Sequence, residues 1–250
     1  MRILFIGNLG NTGFRFVKWL RDKGQDAKLS FPRNLKHKRS LPEWEDPGLV
    51  NNYPEWIITY REKKFPFLFP NRKLRKLAVN ADLILTTGKY IVPVLRLHKP
   101  IAFLPVGGDL TRLPFENENW LQILQAALYR RRIKKVRSII TDQEDCVWAA
   151  RLLGQGDKIT RFPFLIDVHT ILQNVNKELT EKLKKRYQSY KWLFFNPTRI
   201  NMDSSTMDYK GSEKLLEAFQ EFIKIHPDTE VKMVAGKHGK DGDRFRRLVD

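Results

Sequence analysis

KWLFFNPTRINMDSSTMDYKGSEKLLEAF, residues 191–219, opens as a short apolar strand, Trp192–Phe195, and breaks at Asn196-Pro197. It passes Arg199, crosses a polar loop and restarts at Lys210-Gly211 as an amphipathic helix. Leu215, Leu216, Phe219, Phe222 and Ile223 recur there at helical spacing on one stripe. A strand feeding a loop and then a helix N-terminus makes an anion site, because unpaired backbone N–H groups and the helix dipole both favour negative charge. Arg199 and Lys210 put two cations at that mouth. One is a bidentate fork and one a point charge, a combination suited to a diphosphate. The plain alternative is a surface helix with two solvated cations.

The start of the chain has the same grammar. Arg2–Ile6 is an apolar run stopped by Gly7, which reads as a buried parallel strand. Gly7-Asn8-Leu9-Gly10-Asn11-Thr12-Gly13 follows, then a helix over Phe14–Lys23 capped by Gly24, then a strand over Ala27–Ser30. A glycine loop in a β-α-β unit lets a ligand approach the backbone, so Gly10, Asn11, Thr12 and Gly13 are candidate substrate-facing residues. The spacing G-x-x-G-x-x-G also resembles the opening of NAD(P)-dependent sugar-nucleotide epimerases of the extended short-chain dehydrogenase type. Those enzymes need an acidic residue closing the second strand, where Ser30-Phe31 stands here. Their Tyr-x-x-x-Lys pair is matched by Tyr60/Lys64 and Tyr187/Lys191, about as often as chance allows, and neither match opens a recognisable helix. That reading falls behind.

Phe31–Tyr60 is rich in Pro, Gly, aromatic and basic residues and reads as a long substrate-facing loop. Phe65–Phe69 with Arg72, Lys73, Arg75 and Lys76 repeats the aromatic-plus-basic theme that an interfacial membrane contact needs. Strands follow at Ala81–Thr86 and Pro100–Leu104, with a helix over Tyr90–Leu97 between them. Gly107-Gly108-Asp109 then stands at the carboxyl end of a parallel strand, where open α/β sheets bind ligands. Asp109 is either part of such a site or an ordinary helix N-cap.

Trp120–Val136 is expected to be a helix with Trp120, Ile123, Leu124, Ala127 and Leu128 on its buried face. It runs out into Arg130, Arg131, Arg132, Lys134, Lys135 and Arg137, more cations than a helix dipole calls for. Acidic lipid is their natural partner, at roughly 1 kcal/mol per basic residue close to the surface. A strand at Ser138–Thr141, a helix at Glu144–Leu153 and a strand at Ile159–Phe164 complete the first part. A charged helix over Lys177–Tyr190 leads into the stretch quoted first, and a strand at Glu230–Ala235 follows it.

Strand, Pro-x-Arg, loop, then Lys-Gly and a Leu-Leu-x-Ala-Phe helix resembles the start of the donor-binding domain in family 4 glycosyltransferases, retaining enzymes of GT-B architecture. Pro105–Asp109 is similar to that family's His-x-x-Gly-x-Asp region, although Leu104 or Pro105 replaces the histidine, and FPFLIDVHTI looks like its crossover between lobes. The resemblance implies an α/β chain, GT-B-like: a complete N-terminal doubly wound parallel-sheet lobe over residues 1–175, then the start of a second Rossmann-like lobe over 176–250. It also implies a hexosyltransferase moving sugar from a nucleotide-sugar donor to a glycan or lipid-linked acceptor of the cell envelope or a polysaccharide. Arg199 and Lys210 would hold the donor diphosphate, and Gly108 and Asp109 would lie near the sugar. On this reading the second lobe is cut short, the chain alone does not transfer sugar, and proteolysis trims it towards residues 170–190. Leu215, Leu216, Phe219, Phe222, Val231 and Met233 would then lack the strands that cover them.

Composition bounds the rest. The 250 residues carry a formal charge of +18, of which +14 falls in residues 1–175, so the partners expected are anionic. The competing class is a non-catalytic basic module on acidic lipid or nucleic acid. No nucleic-acid-binding signature is present, and nucleic acid is not an expected partner. The single Cys146 rules out an internal disulfide and suits a reducing compartment. No apolar run reaches the ~18–20 residues needed to span a bilayer, so the expected location is cytoplasmic, with peripheral contact on an acidic membrane. The five histidines are scattered; no metal and no cofactor are expected.

Overall fold

The computed structural model describes residues 1–33, 40–50, 52–61, 72–163, 165, 175–196, 200, 211–235 and 241–249. The chain divides into two compact units, Met1–Gln173 and Asn174–Asp250. In the first, β1 (Arg2–Ile6), β2 (Asp26–Pro32), β3 (Ile57–Tyr60), β4 (Leu83–Thr86), β5 (Ile101–Phe103), β6 (Ser138–Ile140) and β7 (Ile159–Thr160) form one sheet. Their order is β3-β2-β1-β4-β5-β6-β7, and every pairing is parallel.

β1 explains why its sequence is apolar without interruption. It has a strand on each side and a core on each face, so alternate residues serve different cores. Leu4 and Ile6 point into the larger core, shared with α2 (Arg72–Val79), α3 (Ile91–Val94), α5 (Trp120–Ile133) and α6 (Glu144–Leu152). Ile3 and Phe5 point into the other, built on α1 (Thr12–Asp22). The winding reverses between β1 and β4, which opens a crevice at the carboxyl ends of the strands.

Three features differ from the sequence expectation. Phe31–Tyr60 is not loop throughout: Ile57–Tyr60 is a seventh strand, paired with Leu29–Pro32 at the sheet edge. The β-branched run Ile-Ile-Thr carries it, behind two short 3-10 turns at Pro42–Trp44 and Pro47–Leu49. The last strand stops at Thr160, and Phe162 instead packs its ring on Phe16 and Trp19, with both centroids 5.5 Å away. The helix α5 is rotated relative to the expectation. Its buried residues are Ala126, Tyr129 and Ile133, while Trp120, Leu121, Ile123 and Leu124 are exposed.

The second unit contains α7 (Lys177–Tyr187), β8 (Trp192–Asn196), α8 (Ser212–Ile225), β9 (Val231–Ala235) and α9 (Gly242–Val249). β8 and β9 are parallel, in register from Trp192↔Val231 to Asn196↔Ala235. Phe194 meets Phe219 and Phe222 edge-on at 5.7 and 5.1 Å. Ile200, Leu216, Phe219, Met233 and Phe245 close the small core. Leu216, Phe219 and Met233 are therefore covered, contrary to expectation. On the other face of the sheet Leu193 and Phe195 are exposed.

Candidate ligand-binding cleft

A shallow, open cleft lies in the first unit, beyond the carboxyl ends of the strands. α1 supplies Thr12, Arg15 and Phe16, the segments after β5 and β6 supply Pro105 and Thr141, and the turn after β7 supplies Phe162 and Pro163. Most of its wall is apolar. The one guanidinium on it is already engaged: Arg15 Nε donates to Glu45 Oε1 and Oε2 at 2.9 and 3.0 Å, and Arg15 Nη2 lies 2.6 Å from Oε1. That fork geometry neutralises the charge and fastens residues 40–50 to α1.

The glycine loop is fastened the same way. Asn8, fully buried, donates from Nδ2 to Asn11 Oδ1 (2.8 Å) and to the Ser40 carbonyl (2.7 Å), and accepts from the Phe14 N–H (2.8 Å). It thereby caps α1, whose residue at the formal cap, Asn11, makes no capping bond. Asn11, held in the left-handed region at φ 59, donates instead to the Leu41 carbonyl at 2.9 Å. Of the four candidate loop residues, Gly10 is exposed, Asn11 is buried in this network, Thr12 lines the cleft and Gly13 packs against Gly7 and Leu29.

Gly108 opens the short helix α4 (Gly108–Thr111), and Asp109 is in its first turn rather than at its cap; Gly107, at φ 101, takes the cap position. The Asp109 carboxylate accepts from Gly88 N and from Val106 N, both at 2.8 Å, and so ties the loops after β4 and β5 together. Burial pushes its carboxyl up to about 7, against the Val106 and Gly88 N–H donors that hold it down. A folded pKa above the unfolded one stabilises fully below the unfolded value of 3.8, and that stabilisation is lost as pH rises through about 7. The unfolding midpoint of the first unit is therefore expected to fall from about pH 4 to about pH 8. Asp109→Asn should remove most of that slope. A parent midpoint flat across the range would refute the assignment.

Cys146 is buried, which pushes its thiol up to about 12 and disfavours the thiolate, and Sγ lies 3.4 Å from Gln143 Oε1. In the basic cluster, Arg130 is spent on the Pro114 carbonyl and Arg132 is half-buried, while Arg131, Lys134, Lys135 and Arg137 are exposed. Arg199 and Lys210 lie outside the described residues, as do most of the basic loop at 33–39 and the aromatic run at 65–69. Of the stretch expected to hold a diphosphate, the described residues at the helix start are Gly211, at φ 72, and a buried Ser212 that opens α8. Among the described residues no three His, Cys, Asp or Glu side chains group together, and no helix is long and apolar enough to cross a membrane.

Sequence reasoning missed Arg15–Glu45 and Asn8. The partners of the pair stand thirty positions apart with no local pattern to join them. Asn8 was hidden among glycines that drew attention to the backbone.

No protein-family model matches the chain, and no curated protein does. Solved structures do. HepE of Anabaena in complex with UDP is 10% identical, with a TM-score of 0.53 over 98% of this chain and 71% of its own. MnaA of S. aureus with UDP is 9% identical, with a TM-score of 0.53 over 100% and 65%. The UDP-GlcNAc 2-epimerase of Methanocaldococcus jannaschii is 13% identical, with a TM-score of 0.51 over 99% and 68%. At such identities the likeness shows architecture: the chain has an α/β, GT-B-like fold whose solved neighbours include UDP-sugar enzymes.

Proposed function

We propose that the chain belongs to a UDP-sugar-using enzyme, and specifically to a retaining glycosyltransferase acting on a glycan or lipid-linked acceptor of the envelope or a polysaccharide. The observation that carries the nucleotide-sugar part is the likeness along nearly the whole chain to HepE, solved with UDP and with UDP-glucose. The transferase part rests on the motif from Trp192 to Phe219. In this reading Arg199 and Lys210 stand ahead of α8 and stabilise the departing diphosphate, where negative charge develops. The apolar cleft with Thr12 on its wall takes the acceptor side. The reading names no metal.

A second reading, isomerisation of a UDP-sugar with no acceptor, is favoured by the epimerases among the neighbours. Calorimetric titration of the 250-residue chain separates nucleotide recognition from bulk charge. UDP is expected to bind more tightly than ADP or GDP. Arg199→Ala and Lys210→Ala are each expected to weaken UDP by roughly tenfold or more, the worth of a charge-assisted hydrogen bond. Equal binding of all three nucleotides, or unchanged affinity in both variants, would remove the site. Incubation with UDP-GlcNAc alone then divides the two activities, since only the isomerase yields a new UDP-sugar without acceptor.

A further inference from the structure

The outer face of α5 carries a sequence of two kinds in one line. Ile123, Leu124, Ala127 and Leu128 stand three, four, seven and eight positions after Trp120, the spacing of one helix face. The same face continues into Arg131, and Lys134 and Lys135, both exposed, follow directly after the helix ends at Ile133. The opposite stripe, Ala126, Tyr129 and Ile133, with Val136 beyond it, anchors the helix to the core, so this face is turned outward. Trp120 is 71% exposed and Leu124 51%. Leu121 and Ile123 are exposed as well, and so is Phe115, on the short turn Leu113–Phe115 that packs against α5. No Asp or Glu occurs between Glu118 and Asp142, while six Lys and Arg do.

We propose that this face docks on an acidic lipid bilayer. A soluble surface seldom displays a tryptophan and three large aliphatic residues on two turns of one helix without a partner. An apolar partner alone would leave the basic last turn without a counterpart. A polyanion in water, such as nucleic acid, would leave the apolar turns uncovered. A membrane interface meets both needs: apolar side chains enter the boundary of headgroups and acyl chains, and cations sit among anionic phosphates. The helix, roughly 20 Å long at 1.5 Å per residue, fits within one such contact. The cations near the C-terminus of α5 also oppose its dipole and do not disturb the fold. The inference does not depend on the transferase reading.

The test is sedimentation of the 250-residue chain with vesicles of phosphatidylcholine alone, and with roughly one third phosphatidylglycerol. Binding is expected only to the acidic vesicles, with a blue shift of tryptophan emission that is lost in Trp120→Phe. Arg131→Ala with Lys134→Ala and Lys135→Ala should weaken binding roughly a hundredfold. Trp120→Ser with Leu124→Ser should weaken it roughly tenfold or more, at unchanged thermal unfolding because both positions are exposed. Three results would overturn the proposal. One is acidic-vesicle binding insensitive to the Trp120 and Leu124 changes. Another is equal binding to a DNA duplex that is equally insensitive to them. The third is a lipid-free dimer, seen by ultracentrifugation, that those changes dissolve.

Discussion

Gly13→Ala is expected to cost the first unit about 3 kcal/mol or more of stability. A Cβ at residue 13 would stand 2.4 Å from the Gly7 carbonyl oxygen and 2.9 Å from Leu29 Cδ1. The first obstacle is backbone, held in place because Gly7 N donates to the Ser30 carbonyl at 2.9 Å beside the β1–β2 ladder. Neither α1 nor the sheet can give way without losing packing on the other. Gly10→Ala, three residues earlier, is the control. Its Cβ would meet nothing within 4 Å, so only its left-handed backbone, φ +55, opposes the change, at about 1 kcal/mol. Urea unfolding of both variants, followed through the transition of the first unit, checks the contrast. Equal losses would show that helix–strand approach is not what Gly13 serves.

Asn8→Ala is expected to cost a similar amount, about 3 kcal/mol, for a different reason. The side chain makes three hydrogen bonds inside the fold, and its loss strands the Phe14 N–H and the Ser40 carbonyl away from water. Each buried group left without a partner costs roughly 1–3 kcal/mol. Asn8→Asp is the informative partner variant. It keeps the acceptor for Phe14 but faces the Ser40 carbonyl and Asn11 Oδ1 with a carboxylate, so it should be no better than alanine. An aspartate that restored the parent midpoint would reduce Asn8 to a simple helix cap. Both changes should also loosen residues 40–50, which the network and the Arg15–Glu45 pair hold against α1.

The frame of the first unit was legible because buried parallel strands announce themselves. Arg2–Ile6, Leu83–Thr86 and Ile101–Phe103 are apolar runs stopped by Gly, Thr or Pro, and nothing competes with that reading. Ile57–Tyr60 escaped because the Pro- and Gly-laden stretch before it sets a loop expectation that four residues do not outweigh. In α5 two stripes compete. The one headed by Trp120 has the larger side chains, but its own period leads to Arg131, Lys134 and Lys135. Followed to its end, it could not face a core. The site was harder to read. Glycines mark where backbone bends, and the polar residues among them, Asn8 and Asn11, are spent on holding that bend.

β1 has a neighbour on each side, but the two do not reach it together. β2 follows within one helix, pairing Ile3 with Ala27, whereas β4 pairs Ile3 with Leu83, eighty positions downstream. On a ribosome adding about 5–20 residues per second, the second edge of β1 waits roughly 4–16 s after the strand itself is made. During that wait Leu4 and Ile6 have no core, and a row of backbone donors and acceptors is open to any other strand. A strand buried on both faces in the finished sheet is thus open along one edge at birth. Early closure of β1-α1-β2, through Asn8 and the Gly13 contact, leaves a single edge to be guarded rather than two.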